Sequence, residues 1–233
     1  MIESETMKEL TIRLAGTAGE GLLTAGDILS KSFFRLGNYV FNYSTYEAEI
    51  RGERPSSTQI RVSDEPILSQ GDRPDILVAF GGRDVDLNID ELKEGGSLIY
   101  DPRPVDPFGD VNTYLPETKR DIRLVPLPTM EMAYRILKRP LTRNMAIVGA
   151  LAYLLRMQKD VVSRVIGERF KGGGRMNSAS NIEALEAGYG YCKDNLKDIS
   201  FPHLPGSGKV EKRKRRLFLS GNEAVSLGAL ASG

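Results

Sequence analysis

The stretch DILVAFGG, residues 75–82, constrains the fold more than any other part of the chain. Its apolar residues run without interruption between turn residues, and a segment this short stays continuously apolar when both of its faces are buried. That places it inside a largely parallel sheet covered by helices on both sides, since a sheet with one wet face would alternate apolar and polar residues. The flanking segments agree. Residues 9–16, ELTIRLAG, alternate Leu10, Ile12 and Leu14 with Thr11 and Arg13, the period of a strand. They run through glycines into a helical pattern of Leu22, Ala25, Ile28, Leu29 and Phe33, which stops at Gly37.

Residues 38–44 and 57–63 are rich in aromatic and β-branched residues and read as the second and third strands. A helix over 86–93 followed by the strand SLIYD, 97–101, makes a further βαβ unit, and 121–128 supplies another strand. The loop between them is expected to hold a short edge strand at 111–115. Helices then follow. Thr129 is the expected N-cap of one that presents Met130, Ala133, Tyr134 and Leu137 on one face and ends at Pro140. NMAIVGALAYLLRM is apolar all round and predicts a helix buried in the body of the protein. DVVSRVIGERF gives one more, and the last carries Ile182, Leu185, Tyr189, Cys192 and Leu196 as a stripe. The fold class is α/β: a three-layer α/β/α sandwich with a mostly parallel sheet and a helical C-terminal part.

Residue usage narrows the chemistry. The chain has one cysteine, Cys192, and one histidine, His203, the latter in the proline- and glycine-rich FPHLPGSGK. An internal disulfide, a four-cysteine iron-sulfur cluster and a histidine or cysteine zinc site are therefore excluded by count, and a Ser-His-Asp triad is disfavoured. Cys192 lies on the apolar stripe, as a core thiol would. A reducing cytoplasm is the simplest compartment for such cysteine usage. The longest apolar run, 145–155, has 11 residues, short of the roughly 18 that a membrane span needs. The net charge of +1 conceals a +5 block at 209–216, KVEKRKRR, which leaves 1–208 at −3. The folded part thus has no electrostatic bias toward nucleic acid, and the block reads as a solvated linker.

Two stretches could carry function. GTAGEG, residues 16–21, closes a strand and opens a helix, where free backbone N–H groups and a positive dipole end can receive a phosphate or carboxylate. Its G-x-x-G-x-G order is not the G-x-G-x-x-G of dinucleotide folds. Glu20 matters here, because an inward carboxylate would repel a bound anion. A tight strand-to-helix turn that binds nothing is the other reading. The second stretch, 46–67, is a charged loop running into a strand, which frames either a ligand, an interface or only solvent.

Taken together, LAGTAGEGLLTAGDILSKSFFRLGNYV, TYEAEIRGERPSSTQIRVSDEPI, TRNMAIVGALAYLL and SNIEALEAGY resemble the gamma domain of 2-oxoacid:ferredoxin oxidoreductases over about residues 8–195. That family includes the pyruvate, 2-oxoglutarate, ketoisovalerate and indolepyruvate enzymes. The resemblance implies an accessory part of an enzyme that decarboxylates a 2-oxoacid on thiamine diphosphate, passes electrons through iron-sulfur clusters to ferredoxin and releases an acyl-CoA. It places thiamine and clusters on alpha, beta or delta parts, gives gamma a share of the CoA site, and makes alpha and beta subunits the partners of a chain that alone can form a homo-oligomer. The family's G-x-G-G-Q-G loop falls on Gly16, Thr17, Ala18, Gly19, Glu20 and Gly21, with Ala18 and Glu20 as departures. A second family segment falls on Tyr46 to Glu53, including Arg51, and a K-N-M-like segment on Arg143, Asn144 and Met145. The implied CoA-facing surface comprises Thr17 to Gly21, Tyr46 and Asn144, with Arg51 and Arg143 available to counter phosphate charge or to form surface ion pairs. Asn144 is also expected to cap its helix. No catalytic or metal residue is expected on this chain. A structural interface module is the competing reading. An independent nucleotide-binding oxidoreductase is a weaker one, because the second strand ends on Tyr43 and Ser44 rather than on an acid.

The same resemblance organises the C-terminal part. Residues 1–200 form the gamma-type domain and 201–216 a Pro/Gly-rich, then basic, linker. Residues 217–233 match the strand and G-N-E-A-x-x-x-G-A-x-x-x-G helix that open an alpha, thiamine-pyrimidine, domain, with Gly221, Asn222, Glu223, Ala224, Gly228, Ala229 and Gly233 in register. That step is expected to be a truncated beginning, loosely docked, with Glu223 at a position close to the thiamine in the family.

Overall fold

The structure, a computed structural model, describes residues 7–17, 19–46, 55–102, 121–136, 138, 142–171, 177–199, 201 and 216–233. Six strands form one sheet: β1 (Glu9–Thr17), β2 (Tyr39–Tyr46), β3 (Pro55–Ser63), β4 (Ile76–Ala79), β5 (Ser97–Tyr100) and β6 (Arg123–Pro126), in the order β2-β3-β1-β4-β5-β6. β1, β4, β5 and β6 pair in parallel, whereas β3 is antiparallel to both β1 and β2. Five of the six strands therefore run the same way, and only β3 is reversed.

β4 sits between β1 and β5 and is buried along its whole length, which is why its sequence is apolar without alternation. One face of the sheet carries α1 (Leu22–Arg35), α4 (Arg143–Leu154), α5 (Lys159–Arg169) and α6 (Ser178–Asn195). These helices share a core with Leu10, Ile12, Leu14, Ile60, Val62, Ile76 and Val78. The other face carries α2 (Gly82–Asn88) and a single 3₁₀ turn (Ile89–Glu91), packed on Ala15, Leu77, Ala79 and Leu98. Three layers result, as the alternation of elements predicts. α4 is buried at all but Arg143 and Tyr153, because it shares the core beneath the sheet and packs along α6. The two helices approach through glycine: a Cβ on Gly149 would lie 2.0 Å from the Leu185 carbonyl oxygen, and one on Gly188 1.8 Å from that of Ala146.

Several expectations are corrected. The helix predicted at 86–93 begins earlier, at Gly82, and gives way to the 3₁₀ turn at Ile89. Thr129 is the first helical residue of α3 (Thr129–Glu131) rather than its cap, and Pro128 holds the cap position. Capping is supplied from another strand end, since Asp101 Oδ2 accepts the Met130 N–H at 2.7 Å and the Thr129 hydroxyl at 2.9 Å. α3 passes directly into a π turn, Met132–Ile136, and the wider turn changes the inward face. Met132 and Ala133 are buried while Tyr134 is exposed. Leu137, Pro140, the edge strand expected at 111–115, His203 and most of the linker lie outside the described residues.

The expected strand at 217–220 is not formed, because a strand requires a neighbouring backbone to pair with. The helix after it is formed: α7 (Gly221–Ser232) opens with a capping box in which the Ser220 hydroxyl accepts the Glu223 N–H and Glu223 accepts the Ser220 N–H. That bond to the backbone N–H, with the Ser220 hydroxyl, holds the Glu223 carboxyl below its ordinary range. None of the residues of α7 is buried. Its lead-in is anchored, with Arg216 stacked on the Tyr39 ring at 4.2 Å and Phe218 against Phe34 at 5.6 Å.

Candidate functional site

The carboxyl ends of β1, β4, β5 and β6 converge on one place, the position where open α/β sheets bind ligands. β1 delivers the glycine loop there. Gly16 pairs with Ser56 of β3, and Ser56 pairs on its other side with Tyr46, so the Tyr46 backbone lies two strands, about 10 Å, from Gly16. Two of the proposed surface residues, Ala18 and Arg51, and the Tyr46 side chain lie outside the described residues.

Glu20 points back into the loop. Its Oε2 accepts the Thr17 N–H at 2.7 Å, and its Oε1 pairs with Arg143 Nη1 at 3.3 Å. The arginine, at the start of α4, joins four chain segments. Besides Glu20, it donates through Nε to Thr129 Oγ1 at 2.8 Å and through Nη2 to the Phe80 carbonyl, and it lies 3.9 Å from Asp101. The guanidinium also rests over the Phe80 ring, 5.1 Å from its centroid, with only 12% of the side chain exposed. A largely buried guanidinium with three of its N–H donors engaged and two carboxylates nearby is a compensated charge.

Asn144, beside it, is 3% exposed. It is the second residue of α4 and not the cap, which is Thr142. Its Nδ2 donates to the Gly21 carbonyl at 3.2 Å and its Oδ1 accepts the Met145 N–H at 3.0 Å. Gly21 is the N-cap of α1 and sits in the left-handed region at φ 80°. A Cβ there would lie 2.2 Å from Asn144 Nδ2, so glycine is required on both counts. Thr17, Glu20, Gly21, Arg143 and Asn144 thus form one hydrogen-bonded constellation around the loop. Asp101 and Thr129, which anchor Arg143, were not anticipated; the only sequence signal was an acid closing a buried strand.

Cys192 is fully buried, and burial pushes its thiol up to about 12, so it is protonated at neutral pH and no nucleophile. Among the described residues no group of three or more His, Cys, Asp or Glu side chains could hold a metal ion. With one inert cysteine, the donor set does not fit an iron-sulfur cluster. No described helix is long and apolar enough to cross a membrane. A separate cleft of about 670 Å³ opens over the stretch of sheet beside α2, lined by Arg13, Tyr43, Gln59, Asp72, Asn88 and Glu91 among others. Arg13 is engaged by Gln59, Asn88 and Glu91, and Gln59 by the Gln70 and Gly71 carbonyls.

Comparison with known proteins then decides the family. The model for pyruvate ferredoxin/flavodoxin oxidoreductase matches residues 11–191. The chain belongs to that family. Within it, the common gamma subunit of the pyruvate/ketoisovalerate oxidoreductases of Thermococcus litoralis is 32% identical over 76% of this chain and 96% of its own length. The 2-oxoglutarate oxidoreductase subunit KorA of Mycobacterium tuberculosis is 26% identical over 99% of this chain. A 2-oxoglutarate:ferredoxin oxidoreductase from Magnetococcus marinus, solved with 2-oxoglutarate, coenzyme A and succinyl-CoA bound, superposes over 97% of this chain with a TM-score of 0.83 and 30% identity. This chain spans 38% of the length of each of the latter two family members.

Proposed function

We propose that this chain is the gamma part of a thiamine diphosphate-dependent 2-oxoacid:ferredoxin oxidoreductase of a reducing cytoplasm, which oxidatively decarboxylates a 2-oxoacid to an acyl-CoA. In this reading it contributes to the CoA-facing surface and to assembly with alpha and beta parts, and not to the chemical step. The observation that carries it is the near-complete superposition on the Magnetococcus enzyme, whose structure holds coenzyme A and succinyl-CoA. A single cysteine with a buried thiol supports leaving iron-sulfur chemistry to partner domains. Residues 1–200 are the gamma-type domain, 201–216 the tether and 217–233 the opening of an alpha-type domain. The fully exposed α7 supports that last assignment, because a helix carrying Val225, Leu227 and Leu230 on its surface is built to be covered.

Glu20 weighs on the competing, purely structural reading. That reading is favoured by an inward Glu20 with no cation near it, and Arg143 is near it. The pairing of Glu20 with Thr17 and Arg143, and of Asn144 with Gly21 and Met145, nevertheless suits a scaffold. Calorimetric titration of CoA into the assembled complex separates the two. Asn144→Ala should weaken CoA binding by releasing Gly21, and Glu20→Gln should change it; unchanged affinity in both variants would leave the scaffold reading. Assay of 2-oxoacid-dependent dye reduction by the native complex, with and without CoA, names the substrate.

A further inference from the structure

We infer that Glu20 is the resident anion of the glycine loop, and that it excludes phosphate from the loop so that the part of a ligand seated there is uncharged and polar, as a pantetheine amide chain is. The inference rests on the reading of the loop as ligand-facing.

Three observations carry it. The first is occupancy. A phosphate at a strand-to-helix glycine loop binds by accepting backbone N–H groups at the end of the strand, and here the Thr17 N–H is already given to Glu20 Oε2 at 2.7 Å. The same oxygen lies 2.7 Å from where a Cβ on Gly16 would be, so the carboxylate fills the space over the strand end. The second is charge. The cation that an incoming phosphate would use, Arg143, pairs with Glu20 Oε1 at 3.3 Å and spends further donors on Thr129 and the Phe80 carbonyl. A phosphate would therefore arrive beside a carboxylate whose counter-charge is spent. The third is the dipole. Glu20 stands one residue ahead of the α1 N-cap, Gly21, so the positive end of the helix already faces a fixed negative group. Amide and hydroxyl groups meet none of these penalties.

The loop is thus held shut to anions from within, and Glu20 acts as a specificity-determining residue. It has the further effect of tying the loop to α4, since its two oxygens bridge Thr17 and Arg143.

The test uses the full 233-residue chain, followed by the backbone amide NMR signals of Thr17, Gly19 and Gly21. Inorganic pyrophosphate, pantetheine and CoA are titrated separately into the native chain, Glu20→Gln and Glu20→Asp. Glu20→Gln keeps an acceptor for the Thr17 N–H and removes only the charge, so it should bind pyrophosphate at least about tenfold more tightly than the native chain, equivalent to about 1.4 kcal/mol. Glu20→Asp, which keeps the charge, should restore the rejection. Pantetheine should move the same amides alike in the native chain and in Glu20→Gln. Pyrophosphate binding as tight to the native chain as to Glu20→Gln overturns the inference, and so does a Glu20→Gln variant that gains nothing. If Glu20→Gln gains pyrophosphate while CoA and pantetheine leave all three forms unmoved, the exclusion of phosphate by Glu20 stands and the seating of a pantetheine chain on the loop of this chain falls. If pyrophosphate binds the native loop and displaces CoA, the CoA reading stands and the role given to Glu20 falls.

Discussion

Replacing Gly21 by alanine perturbs the loop in two separable ways, and the structure gives a magnitude for each. The residue sits at φ 80°, ψ 21°, where an alanine costs about 1–2 kcal/mol from backbone sterics alone. The new Cβ would also lie 2.2 Å from Asn144 Nδ2 and 3.0 Å from its Cγ, so the amide has to swing away. That movement gives up the bonds to the Gly21 carbonyl and the Met145 N–H in a residue that is 3% exposed, which costs about 1–3 kcal/mol. Gly21→Ala should therefore destabilise the chain by about 3–4 kcal/mol. Asn144→Ala alone should cost about 2 kcal/mol, for the same two hydrogen bonds. With the amide already gone, Gly21→Ala meets only the backbone term, so the double variant should lose about 3–4 kcal/mol instead of the 5–6 expected of independent sites. Urea unfolding followed by circular dichroism measures this, with the slope checked for constancy across variants. A coupling of about 2 kcal/mol is expected, and additivity within about 0.5 kcal/mol would refute the contact between Gly21 and Asn144 as described.

Other outcomes follow from the same structure. Gly188→Ala should cost 3 kcal/mol or more, about the upper end of overpacking effects, because the added Cβ meets the Ala146 carbonyl at 1.8 Å and backbone cannot rotate away; thermal unfolding checks it. Cys192 should resist a chromogenic disulfide reagent at pH 8 in the folded chain and react at once in denaturant. Because its thiol stays protonated to about pH 12 when folded but ionises near its ordinary value when unfolded, stability should fall as pH rises from about 9 to 12, by at most about 1.4 kcal/mol per unit. Cys192→Ala should flatten that part of the profile, which urea titrations at several pH values would show. Amides of α7 should exchange with solvent far faster than those of α4, since an exposed 12-residue helix has no packing to hold it beyond its capping box.

How far the sequence could be read depended on whether the responsible forces were local. The apolar run of β4 and the all-round apolarity of α4 record burial directly. The alternation of β1 records only one of its two buried faces, since Thr11 and Ala15 are buried as well, and the expected stripe of α6 is buried at Leu185, Cys192 and Leu196 but only partly at Ile182 and Tyr189. The layers and the mostly parallel sheet follow from those periods. The reversal of β3 did not show, because an antiparallel strand in a mixed sheet carries no mark of its direction. The start of α2 at Gly82 was missed because its first turn lacks the usual capping residue.

At the site, the glycine loop was evident from its order and place after a strand, and so was the tension created by a carboxylate at Glu20. What the tertiary structure alone decided was how that tension is resolved. Arg143 lies 123 residues away from Glu20 along the chain, and its other partners come from the ends of β4 and the start of α3. Such a contact leaves no period or spacing in the sequence, because it depends on where separate strand ends meet and not on any neighbour along the chain. The sequence by itself determined the α/β/α layers, the loop and the unusual acid within it. The convergence of the strand ends determined that the acid is paired, that Asn144 braces Gly21, and that any side chain at position 21 would displace the Asn144 amide.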